Sequence, residues 1–288
     1  MNVAHRPGEL APARRSVAIG TFDGVHLGHR RVIEAARAAY LRSAVVTFDP
    51  HPRAFFGNRV ELLTTLERRL ELLEESGVED VLVLSFDEAL ATLEAEAFAE
   101  SILRTVGAEV VAAGETFRFG RARGGDLDLL ERLGFDVRRV TLVENISSSH
   151  VRHLLAAGDV RDAARLLGRP AEVEGTVVLG DRRGGTLGFP TANLAIEPDL
   201  LVPAYGIYAG SALGHRAAVS IGTNPHYGGT ERRVEAYLLD YEGDLYGRRL
   251  VLELWERLRD EAVFESEAEL VEAIDADVAR TRVATRPG

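Results

Sequence analysis

The sequence predicts a doubly wound α/β domain built on a parallel sheet, followed by a small antiparallel β-barrel that ends in one helix. Three observations carry that reading. Through the first half, strand-like apolar runs alternate with helix-length amphipathic segments, the pattern of a parallel sheet with helical crossovers. From Ala171 onward the helical periodicity gives way to short alternating runs cut by glycine-rich turns, the pattern of a barrel or sandwich. A length of 288 residues also exceeds that of one ordinary domain, roughly 100–200 residues.

Residues 1–15 hold no apolar run of signal-peptide length and read as a short disordered lead. The first domain, 16–169, is expected to carry strands at Ser16–Gly20, Ala44–Phe48, Val81–Ser85, Glu109–Ala113 and Phe135–Val143. Between them lie helical patterns at Leu27–Tyr40, Thr65–Ser76, Glu94–Val106 and Asp126–Leu133. Thr65 supplies a cap and Gly77 a stop for the second of these. Two short helices, Ser148–Ala157 and Val160–Leu167, each end at a glycine. Arg169–Pro170 then marks the domain boundary, because proline disfavours helix at the residue before it. In the second domain, 170–288, Val234–Tyr241 and Leu250–Leu258 flank EGDLYGRR and read as an antiparallel pair. The last helix, Ser266–Arg280, sets Leu270, Ile274 and Val278 on one face.

Composition narrows the chemistry. A formal net charge of −11 argues against nucleic acid or an anionic membrane as partner. All 34 basic residues are arginine, which excludes a Walker-type P-loop or a Schiff-base lysine. Zero cysteines exclude disulfides, thiolate catalysis and cysteine-ligated zinc. No apolar run is long enough to span a bilayer, and a cytoplasmic location is expected.

The chemistry concentrates in two places. GTFDGVHLGH, Gly20 to His29, follows an apolar strand and opens a helical pattern. Strand, glycine turn and helix start expose free N–H groups and a positive helix end to an anion. Gly20, Phe22, Asp23 and Gly24 form that turn, and His26 and His29 stand at the helix entrance as donors to phosphate oxygens. Histidines three apart can also ligate a metal or cap a helix, but no third ligand sits nearby at a metal-site spacing. The arrangement suits nucleotidyl transfer.

GDRRGGTLGFPTANL, Gly180 to Leu194, is the second. Gly180, Gly184, Gly185 and Gly188 permit close backbone approach to a ligand. Thr191 offers a hydroxyl and Asn193 a neutral carbonyl oxygen, donors suited to a magnesium ion carried on nucleotide phosphates. Phosphoryl transfer also needs a group to orient and deprotonate an attacking hydroxyl. Glu235 stands in the apolar run VEAYLLDY; alternation alone favours a solvated outward position for it over a catalytic one.

Together these motifs resemble, in the family's order, the prokaryotic bifunctional riboflavin kinase/FMN adenylyltransferase (FAD synthetase) family. TFDPHPRAFF (Thr47–Phe56), GETFRFG (Gly114–Gly120) and ISSSHVR (Ile146–Arg152) continue the resemblance in the N-terminal half. TLGFPTANL, YGIYAG, VEAYLLDYEGDLYG and LRDEAVF carry it through the C-terminal half. The resemblance implies a Rossmann-like nucleotidyltransferase domain and a riboflavin-kinase barrel. In the barrel, Thr191 and Asn193 would bind Mg²⁺–ATP and Glu235 would act as general base on riboflavin. In the N-terminal domain, FMN would attack the α-phosphate of ATP to give FAD, with His26, His29, Ser148, Ser149 and Arg152 on the phosphates. Flavin contacts are implied for Phe117, Phe119 and Arg259, and nucleotide contacts for Gly180 and Gly188. Riboflavin, FMN, FAD and ATP are thus the implied small-molecule partners; homo-oligomer formation stays open. Thr116, Asn145 and the short segment from Phe135 to Ser147 depart from the family pattern in the first half. Leu179, Gly185 and His226 do so in the second.

Overall fold

The computed structural model describes residues 1–141, 146–180, 188–223 and 232–288. Asn145, Gly184, Gly185, His226 and the end of the expected strand Phe135–Val143 lie outside them. Two compact units divide the chain, Met1–Ser148 and Ser149–Gly288.

In the first unit the elements run β1 (Asn2–Ala4), β2 (Arg15–Ile19), α1 (Leu27–Arg37), β3 (Arg42–Asp49), α2 (Pro52–Phe55), α3 (Leu66–Glu75) and β4 (Asp80–Ser85). They continue with α4 (Glu88–Ala91), α5 (Ala95–Phe98) leading into a π-helical segment (Ala99–Arg104), β5 (Ala108–Gly114), α6 (Leu127–Arg132) and β6 (Asp136–Val140). The six strands are all parallel, in the order β1–β4–β3–β2–β5–β6. Successive side chains of the central strands feed two cores, as a sheet covered on both faces requires. Val17, Ile19, Val46 and Leu82 pack with Phe98, Ile102 and Leu103 on one face. Ala18, Val45, Val81 and Val83 pack with Ile33, Leu72 and Leu73 on the other. The chain runs from β2 toward β4 in one direction and then returns to β5 on the opposite side of β2. The switch point, where such sheets bind ligands, therefore lies at the carboxyl ends of β2 and β5.

The N-terminal lead is a correction. Asn2–Ala4, expected to be disordered, forms the edge strand β1 in register with Asp80, Val81 and Leu82 of β4. Three residues carry no readable periodicity; the open edge of β4 orders them, and the Asn2 side-chain amide donates to Asp80 at 2.8 Å.

In the second unit, α7 (Ser148–Ala157, begun at the last residue of the first) and α8 (Val160–Leu167) precede β7 (Ala171–Val178), β8 (Ala192–Ala195) and β9 (Gly206–Ala212). Then come β10 (His215–Thr223), β11 (Arg232–Leu238), β12 (Arg249–Arg259) and the terminal helix α9 (Glu267–Val283). The strands close into a barrel in the order β10–β11–β8–β7–β12–β9. The compact division falls at the first turn of α7, after Ser148, rather than at Arg169–Pro170, and α8 packs on β7 and β12 of the barrel. A second correction concerns β11 and β12, which do not pair. β11 lies between β10 and β8, and β12 between β7 and β9, so neither has a free edge for the other. Helix α9 covers β9 and β10. It buries Asp277 and Thr281, with the expected Leu270, Ile274 and Val278 half-buried beside them. Asp277 accepts a forked pair from Arg259, and Arg216 donates to the carbonyls of Thr281 and Ala284, so the C-terminal half of the helix is tied to the barrel.

Candidate functional site

The loop after β2 is shaped by its backbone. Phe22, Gly24 and Val25 all adopt positive φ, at 51°, 80° and 38°. At Gly24 a side chain is also excluded by space, since a Cβ would come within 2.7 Å of Leu63 Cδ1. The loop delivers His26 to the N-cap of α1, where its Nδ1 accepts the N–H of His29 at 3.2 Å. An accepting Nδ1 leaves the proton of the neutral ring on Nε2, which is then a donor. The two imidazoles stack at 3.6 Å between centroids and 15° between planes. Phe22 meets His29 edge-on at 5.3 Å, fixing the pair from one side.

Asp23 has a different place from that of a phosphate ligand. Its carboxylate is buried and accepts the backbone N–H groups of Leu63 and Thr64 at 2.9 and 3.2 Å. It anchors the loop to the segment at Leu63 and Thr64. Ser148 Oγ donates to the Asp23 carbonyl at 3.0 Å, which brings Ser148 to the same loop. Ser149 and Arg152 follow on α7, exposed and half-buried respectively.

Sequence reading missed a buried arginine under this loop. Arg69 of α3 donates to the carbonyls of Thr21 and Phe48 at 3.0 and 2.9 Å, across the carboxyl ends of β2 and β3. Burial pulls its pKa below the free value while Asp23 and Asp49 oppose that shift. In a chain whose every basic residue is arginine, one more arginine on a helix gave no signal. Phe55 and Phe56 end the TFDPHPRAFF motif. They meet each other and Phe86 edge-to-face at 5.2–6.0 Å, and Phe56 is 64% exposed.

Two of the implied flavin contacts are built into structure. Phe119 is 6% exposed, packed on Phe98 and stacked on Phe117, and its backbone bridges to Gly125. Arg259 is held by Asp277 at 2.7 Å and lies over the Phe264 ring. Phe117 is half-buried and Thr116 beside it exposed.

In the barrel, β7, β8 and β11 are adjacent, so the second motif and Glu235 converge. Asn193 pairs with Val178 on one side and Glu235 on the other. Val234, Ala236 and Leu238 point into the barrel, leaving Glu235 and Tyr237 on its outer face, as alternation predicted. That face is half-buried at Glu235 rather than open. Thr191 Oγ1 donates to the Glu235 carboxylate at 3.4 Å, and Phe189 packs edge-on against Tyr237 at 5.5 Å. Gly180 closes against Asn193, where a Cβ would fall 2.2 Å from the side-chain amide nitrogen. Gly188 has a positive φ of 88° and open space above it. One hydroxyl, one amide oxygen and one carboxylate thus share a small area on the outer face. Among the described residues, no group of three or more His, Asp or Glu side chains gathers to hold a metal ion.

The comparisons with known proteins also give the chain two parts. A family model for FAD synthetase matches residues 9–152, and one for riboflavin kinase matches residues 167–285. The bifunctional riboflavin kinase/FMN adenylyltransferase of Escherichia coli is 37% identical over 290 residues, covering 94% of this chain and 91% of its own. The enzyme of the same description from Listeria monocytogenes is 33% identical, covering 95% and 93%. The chain belongs to the bifunctional riboflavin kinase/FMN adenylyltransferase family. A solved structure named as a macrolide-efflux protein from Streptococcus pneumoniae also matches, with a TM-score of 0.88 and 30% identity over 98% of this chain and 99% of that one. Among the described residues no helix is long and apolar enough to cross a membrane.

Proposed function

We propose that the chain makes FAD from riboflavin in two steps, phosphoryl transfer in the riboflavin-kinase match, residues 167–285, and adenylyl transfer in the FAD-synthetase match, residues 9–152. The observation that carries the first step is the register of Asn193 with Glu235, which puts oxygen donors beside a carboxylate inside the riboflavin-kinase match. Glu235 takes the proton of the riboflavin 5′-hydroxyl as its oxygen bonds to the γ-phosphorus of ATP and the bond to ADP breaks. Thr191 and Asn193 fit a hard cation delivered on the nucleotide, since such an ion needs only one or two protein oxygens. When bound, Mg²⁺ would neutralise charge on the transferring phosphate. Gly180 and Gly188 keep the nucleotide's approach clear of side chains.

In the second step a phosphate oxygen of FMN bonds to the α-phosphorus of another ATP and pyrophosphate leaves. His26 and His29 donate to the phosphates as charge shifts onto the leaving group, beside the N–H groups of the loop from Gly20 to Gly24. Ser148, whose hydroxyl donates to the Asp23 carbonyl, adds a polar contact at the same loop. Phe117, with the exposed faces of Phe55 and Phe56, offers the surface for the flavin ring. We place both reactions in the cytoplasm, where ATP is supplied.

Labelled ATP tests the two steps separately. Label in the γ-phosphate is expected in FMN, and label in the α-phosphate only in FAD. Incorporation of α-label into FMN, or none of either, would overturn the reading.

A further inference from the structure

We propose that Arg69 is a positioning residue for adenylyl transfer, one that fixes the orientation of the peptide at the start of the phosphate loop. The inference rests on the reading that residues 20–29 hold the ATP phosphates. Arg69 is 2% exposed and extends from α3 beneath the loop. Its Nη1 donates to Thr21 O and Phe48 O and lies 3.3 Å from Thr47 Oγ1; its Nη2 reaches Asp49 Oδ1 at 3.4 Å. Thr47 Oγ1 itself donates to Thr21 O at 3.0 Å. Two donors from different elements thus converge on one carbonyl, that of the residue after Gly20.

In a trans peptide the carbonyl and the following N–H point in opposite directions. Holding the Thr21 carbonyl on Arg69 and Thr47 therefore turns the N–H of Phe22 away from them. Among the described residues that N–H makes no turn or loop hydrogen bond to a backbone carbonyl. An amide whose direction is fixed through its carbonyl is held in one orientation for whatever binds at the loop. A single nitrogen, Nη1, reaches the ends of both β2 and β3, while Nη2 reaches Asp49, so the planar guanidinium is fixed on both sides. Asp49 pairs with the guanidinium at 3.4 Å, and the contacts of Nη1 with the loop are to neutral oxygens. The carbonyls it holds stand at the strand ends beside the switch point, where a shift of the loop alters the ATP site and leaves the barrel untouched.

The full-length chain carries its own control, because riboflavin phosphorylation reads the other unit. In Arg69→Met, KM for ATP in FMN-to-FAD conversion is expected to rise about 10- to 100-fold, as for a lost charged hydrogen bond. The rate at saturating ATP changes less, and FMN formation from riboflavin stays within about twofold, since no residue of the barrel is altered. Arg69→Lys falls between, several-fold above wild type. Hydrogen exchange of the β2 and β3 amides reports whether the sheet remains folded. If Arg69→Met is folded and merely less heat-stable, with wild-type KM for ATP, the residue is structural and the proposal is overturned. If Arg69→Met does not fold, Arg69→Lys decides, and a wild-type KM there overturns it equally. His29→Ala in parallel separates the two levels: unchanged FAD synthesis in that variant rejects the phosphate loop itself, whereas its loss beside a normal Arg69→Met rejects only Arg69.

Discussion

Thr191 and Glu235 meet across the β8–β11 pair, the threonine hydroxyl donating to the carboxylate at 3.4 Å while Asn193 pairs with Glu235 through the backbone. A hydroxyl, an amide and a carboxylate brought together by register leave little freedom in where a nucleotide and an attacking hydroxyl can sit. Removing the base while keeping its shape isolates its role. Glu235→Gln is expected to slow riboflavin phosphorylation by about 10²- to 10⁴-fold, the range of general-base contributions. FMN-to-FAD conversion by the same sample should stay close to wild type, and chromatography of both products checks the pair.

The close approach of Gly180 to Asn193 gives an independent probe. A methyl at position 180 would fall 2.2 Å from the asparagine amide, so the side chain must move. Gly180→Ala is expected to cut FMN formation by about 10²-fold, the scale of a misplaced ligand group of roughly 1 Å. Steady-state assays with riboflavin and with FMN show whether the loss is confined to the first step.

The histidine pair should act only on the second. With His29→Ala, FAD formation from FMN is expected to fall about 10²-fold, as for other oxyanion-type donors. Kinetics with FMN as substrate, against riboflavin phosphorylation as control, read the effect.

At the amino end of β4, Asp80 controls how the sheet responds to acid. Its carboxylate is fully buried and receives hydrogen bonds from Arg15, Arg42 and Asn2. Burial alone would raise its pKa; the bonds from Arg42, Asn2 and Arg15 outweigh that and hold it well below the usual carboxylate range. A depressed folded pKa means that this stabilisation is complete above the unfolded value, about 3.9, and is lost as pH falls toward the folded one. Asp80→Asn should cost about 3–5 kcal/mol at neutral pH, because Arg15 is then a buried charge without its counter-ion. Urea unfolding of wild type and variant at pH 7 and pH 3 checks this: the gap between them should narrow in acid.

Much of the fold could be read because its signals are local. Alternation placed β2 to β6 of the sheet, and Thr65, Asp126 and Ser266 all cap the helices expected after them. The failures come from partners distant in sequence. Asn2–Ala4 becomes a strand only because β4 offers an edge, and β11 and β12 are kept apart by barrel closure rather than by anything in EGDLYGRR. Site residues follow the same division. His26, Thr191, Asn193 and Glu235 sit in spaced motifs, and the fold gathers the last three. Phe119 and Arg259 belong to motifs as distinctive, yet a motif does not say which way a side chain turns; one enters the core and the other binds Asp277. Arg69 lacks a motif altogether and acquires its place only when β2 and β3 end above it.

The central claim is that both units catalyse. Its most direct test is chromatographic analysis of the purified chain with Mg–ATP, supplied with riboflavin in one reaction and FMN in another. Riboflavin should give FMN and then FAD, and FMN alone should give FAD with pyrophosphate. Conversion of riboflavin that stops at FMN, with no FAD from FMN, would contradict the account by leaving the N-terminal unit without its reaction.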